Sequence, residues 1–100
     1  MIKEWRKWTN NTATVAEDIL GKCEVYVFGS IAEKQETGGS DVDILIIAEN
    51  LPKHKERANI IAQIEEKAQL PLYHPFEIHL VTREESKWYW RHIRKAIRIK

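Results

Sequence analysis

The sequence predicts an α/β (α+β) fold, a small three-stranded sheet with helices packed on it. Two apolar runs, 23–28 and 41–48, have the length of strands, and the first stops abruptly at Gly29. A third run, Phe76 to Val81, alternates: Phe76, Ile78 and Leu80 fall on one side, Glu77, His79 and Val81 on the other. Between and around these runs the apolar residues recur at helical spacing, so helices and strands follow one another along the chain and must share a core.

Ile2, Trp5, Trp8, Thr12, Val15, Ala16, Ile19 and Leu20 form the stripe of a first helix, with Gly21 as its C-terminal cap. Asn10-Asn11 weakens its middle and predicts a bend or split. Trp5 and Trp8 share a face and are expected to pack on the sheet rather than stack on bases. Cys23 opens the first strand as a small buried hydrophobe. As the only cysteine, it excludes an intrachain disulfide or a cysteine metal cluster. A short helix over 31–36 is expected after Gly29-Ser30, then a turn at Thr37-Gly-Gly-Ser40.

The second strand continues as unbroken aliphatic sequence, Ile44 to Ile47, which predicts an interior strand covered on both faces. Pro52 suits the first position of a helix capped by Asn50, with Ala58, Ile61, Ile64 and Ala68 facing inward. Pro71 and Pro75 end it. After the third strand, Thr82 and Glu85 form a capping box for a final helix over 84–100, which carries Trp88, Tyr89, Trp90, Ile93, Ala96 and Ile97 between basic residues.

One hundred residues are expected to make one domain, 1–100. With 43% hydrophobic and 31% charged residues, the chain is globular rather than disordered. A net charge of +1 gives no bulk attraction to nucleic acid or membrane. No run approaches the roughly 20 apolar residues of a transmembrane helix, and the first residues lack a signal-peptide pattern. The default expectation is a cytoplasmic location.

The chemistry concentrates where the strands begin and end. Asp41 and Asp43 project from one face of the second strand, roughly 6.6 Å apart along it. Two carboxylates at the mouth of an apolar strand repel, and a divalent cation relieves them; few hard oxygen ligands suit Mg²⁺. Gly29 permits close backbone approach, and Ser30 can cap a helix whose free N–H groups attract an anion. Glu77 lies among apolar neighbours, where an isolated charge is costly, and can turn toward the same cation if its strand neighbours the second. His79 shares its face and is read either as a contact to substrate or as a hydrogen-bonded residue at the strand's end. His54, His74 and His92 have no zinc-site spacing.

Gly29-Ser30, ten intervening residues, then Asp41-Val42-Asp43 resembles the G-S-x(10)-D-x-D motif of the DNA polymerase beta-like nucleotidyltransferase superfamily. Over nearly its whole length the chain is similar to that superfamily's minimal nucleotidyltransferases. The resemblance implies a nucleotidyltransferase fold, a three-stranded mixed sheet flanked by about four helices. It implies Asp41, Asp43 and Glu77 as catalytic residues and ligands of Mg²⁺, two ions in all, with ATP as substrate. Gly29 and Ser30 would hold the outgoing phosphates. Many relatives carry an arginine soon after the serine; here Glu33 stands at that place, and Lys34 is the candidate charge partner for the triphosphate.

Larger relatives bind their acceptor with further domains, so the acceptor is expected on another chain or on a second copy of this one. The resemblance points to a HEPN-domain protein, the toxin that such chains neutralise, in some pairs by adenylylating a tyrosine. Glu33 favours an alternative: a non-catalytic, nucleotide-binding antitoxin or adaptor that masks its partner. A third reading is an RNA-binding module using the basic, aromatic C-terminal helix.

Overall fold

The computed structural model describes residues 4–29, 42–71, 74 and 76–100. In chain order the elements are α1 (Trp5–Leu20), β1 (Cys23–Phe28), β2 (Val42–Ala48), α2 (His54–Lys67), β3 (Phe76–Val81), α3 (Arg83–His92) and β4 (Ala96–Arg98). The sheet order is β3-β2-β1-β4. β1 runs antiparallel to both β2 and β4, whereas β2 and β3 are parallel, so the sheet is mixed as expected.

Alternation divides each strand between two faces. Val25, Val27, Val42, Ile44, Ile46, Phe76 and Leu80 turn to one side, where α1 and α2 cover them. Leu45, Ile47 and Val81 turn to the other, with Tyr26 and Phe28 and with Tyr89 and Ile93 packed against them. Ile44, Leu45 and Ile46 are fully buried, so β2 is the interior strand its aliphatic run predicts. No helix among the described residues is long and apolar enough to cross a membrane.

α1 is continuous through Asn10-Asn11. Instead of breaking the helix, Asn11 Nδ2 donates to the Ala68 carbonyl, 2.8 Å away, just past the end of α2, where a helix leaves carbonyls unpaired. Thr9 and Thr12 are fully buried because their hydroxyls donate to the carbonyls of Arg6 and Trp8. Trp5 and Trp8 pack against the core as expected.

Further expectations are corrected. α2 begins at His54, not Pro52, with Lys53 as an N-cap that makes no side-chain bond. Asn50 serves instead as a turn residue at φ 57, a conformation asparagine tolerates. The inward stripe of α2 opens with Arg57 in place of the exposed Ala58, because the guanidinium finds the Pro52 carbonyl and Glu85. The largest correction concerns the final helix. It stops at His92; Ile93 is extended, and Ala96–Arg98 forms a fourth strand on the edge of β1. Three helices and four strands are thus described, and the region of the expected short helix, 31–36, lies outside the described residues.

Candidate active site

Three strand ends meet at one edge of the α3 face. β1 ends where β2 begins, with Phe28 opposite Asp43. The parallel pairing of β2 and β3 then sets Asp43 opposite Glu77 and Leu45 opposite His79. Because alternate residues share a face, Asp43, Glu77 and His79 all project from the same side.

The geometry is close. His79 Nε2 lies 3.4 Å from Asp43 Oδ1 and 3.9 Å from Glu77 Oε1. One ligand atom from each of the three residues falls within 4.8 Å of the others. Asp43 and His79 are mostly covered, their side chains 24% and 22% exposed, whereas Glu77 is open to solvent at 61%. Two carboxylates and an imidazole on one face form a donor set that can hold a divalent cation; the oxygens favour a hard ion, and the imidazole extends the choice toward transition metals.

Gly29 closes the group from the end of β1. Its φ of +87° lies in the region that L residues avoid, and a β-carbon there would sit 2.4 Å from Asp43 Oδ2. Only glycine lets the chain pass this close to the carboxylate. Above the cluster α3 contributes Tyr89, whose ring centroid is 5.5 Å from that of His79 and 6.4 Å from that of Phe28. Burial, with the Glu85 and Glu77 carboxylates adding to it, pushes the Tyr89 phenol up and keeps it a neutral hydroxyl.

A cavity of about 350 Å³ opens between this cluster and α3. Gly29, Asp43 and His79 line it together with Phe28 and Tyr89, which lie against His79, and Trp88, His92, Ile93 and Arg94 complete the wall. A larger cavity of about 420 Å³ lies at the far end of the sheet, between Lys22 and Arg98, remote from the carboxylates.

Of the residues singled out in the sequence, Gly29, Asp43 and Glu77 are brought together. Asp41, Ser30 and Lys34 lie outside the described residues. His79 was placed on the right face by alternation, but its approach to Asp43 depends on the parallel pairing, which alternation does not reveal. His74 bonds Glu65 at 2.5 Å and His54 faces Glu85 at 3.9 Å, so neither joins the cluster. His92 stacks on Trp88 at the cavity mouth, a placement the sequence carried no signal for.

Comparison with known proteins agrees with this architecture. Residues 11–100 match the family described as the nucleotidyltransferase domain. No curated protein matches the sequence. Among solved structures, a presumed nucleotidyltransferase superposes with a TM-score of 0.71 at 27% identity, over 88% of this chain and 92% of that one. Another, from Sulfolobus solfataricus, gives 0.68 at 15% identity over 97% of this chain and 80% of its own. A toxin–antitoxin crystallised with AMP-PNP gives 0.64 at 16% identity, over 92% and 72%. The last two likenesses speak for the fold alone. With all but its first ten residues inside the family match, the chain belongs to the nucleotidyltransferase domain family.

Proposed function

We propose that this chain is a minimal nucleotidyltransferase, a single catalytic domain over 1–100, that moves AMP from ATP onto an acceptor hydroxyl of a toxin partner and releases pyrophosphate. The observation that carries this reading is the convergence of Asp43, Glu77 and His79 on one face, against the glycine that ends β1. The donor set fits a hard divalent cation, Mg²⁺ in one or two copies, which Asp43 and Glu77, with Asp41 on sequence grounds, would hold. When bound, such a cation neutralises the triphosphate and lowers the pKa of the attacking hydroxyl.

The chain's own residues do the rest. Gly29 presents backbone to the phosphate end, with Ser30 and Lys34 as further phosphate contacts on sequence grounds. Glu77, the exposed member of the cluster, meets the acceptor and takes its proton as the acceptor oxygen bonds the α-phosphorus and the bond to pyrophosphate breaks. His79 holds the Asp43 carboxylate in place through its Nε2. Positioning and charge neutralisation supply most of the catalysis in such transfers.

The antitoxin role draws on the toxin–antitoxin neighbour that was crystallised with AMP-PNP. The partner class, a HEPN-type toxin, draws on the family resemblance. The second reading, a non-catalytic antitoxin that masks its partner, is favoured by Glu33 at the usual arginine position. Incubation with ATP labelled at the α-phosphate, Mg²⁺ and the product of the adjacent gene separates the two. Transfer predicts labelled partner, and loss of label with Asp43→Asn at unchanged complex formation. A complex that forms but never takes label establishes masking.

A further inference from the structure

The cavity beside Asp43 has two unlike ends. One holds Gly29, Asp43 and His79; at the other the segment of α3 and the residues after it set the rings of Trp88 and His92, with Ile93 and Arg94 beside them. Trp88 and His92, one turn apart, stack with centroids 4.3 Å apart and planes at 28°, and His92 Nδ1–H donates to the Trp88 carbonyl at 2.8 Å, which fixes the imidazole. Tyr89 meets Trp88 nearly edge-on, centroids 5.1 Å apart, and continues the wall inward to Phe28. Trp88 nevertheless stays 55% exposed, so a large flat surface is left wet at the mouth. The volume, about 350 Å³, falls at the small end of the roughly 300–1,000 Å³ that ligand pockets span.

We propose that this aromatic end receives the nucleobase of the transferred nucleotide, with Trp88, Tyr89 and His92 as its stacking platform. The inference rests on the nucleotidyltransferase reading and adds to it which end of the nucleotide each wall takes. A ligand that is charged at one end and flat at the other matches a cavity with the Asp43 carboxylate and Gly29 on one side and the rings of Trp88 and His92 on the other. The placement of Glu77 decides between the two flat candidates, a base and an acceptor tyrosine. Glu77, the residue assigned to the acceptor, does not line this cavity, whereas Asp43 does. The acceptor therefore approaches from the solvent side of the carboxylates, and the cavity belongs to the nucleotide. Rings accept any base face, so the platform provides affinity rather than reading the base.

Calorimetric titration of the intact chain with ATP and with inorganic tripolyphosphate, each with Mg²⁺, tests this. ATP is expected to bind more tightly than tripolyphosphate, which has no base. Trp88→Ala is expected to weaken ATP roughly 5- to 160-fold, the span of a lost base stack, and to leave tripolyphosphate unchanged. Trp90→Ala, on the same helix but outside the cavity, leaves both unchanged. Because Trp88 is half in water, its replacement does not threaten folding, and circular dichroism confirms that.

Equal affinity for the two ligands, or equal weakening of both by Trp88→Ala, overturns the platform and leaves the nucleotidyltransferase reading standing. Binding of neither ligand overturns both. If Trp88→Ala spares ATP affinity but abolishes labelling of the partner, the rings hold the acceptor and the assignment is wrong.

Discussion

At the scale of single residues, Gly29 couples backbone conformation to chemistry. Its φ of +87° and the 2.4 Å between a virtual β-carbon and Asp43 Oδ2 are separate demands that only glycine meets. Gly29→Ala is expected to cost about 1–2 kcal/mol for the left-handed backbone, which lowers the melting temperature by roughly 4–8 °C per kcal/mol in a domain of this size. Label transfer should fall further than the lost stability explains, because the added methyl displaces the Asp43 carboxylate; melting curves and transfer assays on the same variant separate the two effects. Gly29, Asp43 and Glu77 were legible in the sequence because each breaks an apolar run with a residue that is costly there. His79 was half legible. Its face followed from alternation, but its distance to Asp43 follows from a pairing between strands that one chain's periodicity does not encode.

Among the elements, α3 shows both what local sequence settles and where it stops. Thr82 Oγ1 accepts from the Glu85 amide at 3.2 Å and Glu85 Oε1 accepts from the Thr82 amide at 2.8 Å, the capping box the sequence announced. Glu85 also accepts from Arg57 Nη1 at 2.6 Å, and Arg83 pairs with Glu24 on β1, so the start of α3 is tied to both α2 and the sheet. The bond from the Thr82 amide, then the Arg57 guanidinium, holds the Glu85 carboxyl below its ordinary 4.5. As pH falls the unfolded chain therefore takes up this proton first, and the contribution of Glu85 is full above about pH 4.5 and lost below it. Glu85→Gln should flatten the acid limb of a melting-temperature profile while changing little in the shape of the curve above pH 6. The end of α3 was not legible. Residues 84–100 carry apolar and basic residues that satisfy a helix, yet Ala96 to Lys100 also alternates with a period of two, and the open edge of β1 decides in favour of the strand.

For the whole molecule, that fourth strand matters because it closes the edge of β1, the strand that delivers Gly29. Ile99 N–H donates to the Val25 carbonyl at 2.8 Å, and Val25 N–H donates to the Lys100 carbonyl at 2.9 Å. Ile99→Pro removes the first bond and an apolar contact to the core, and is expected to cost about 1–3 kcal/mol. Urea denaturation should show it as a lower midpoint at unchanged slope. The layers and the inner strand were readable in advance, because burial on both sides leaves an unbroken aliphatic run; strand direction and the extra edge were not, since they depend on contacts distant in sequence. The side-by-side, same-direction pairing of β2 and β3 carries one more consequence, for length variation among related chains. The joining segment around 69–71 can gain or lose a residue, since packing of Phe76 and Leu80 re-seats the strand afterwards. One residue inserted between Glu77 and Leu80 cannot be absorbed, for it would swing the carboxylate through to the opposite surface. Indels are therefore expected in the joint and not in the strand.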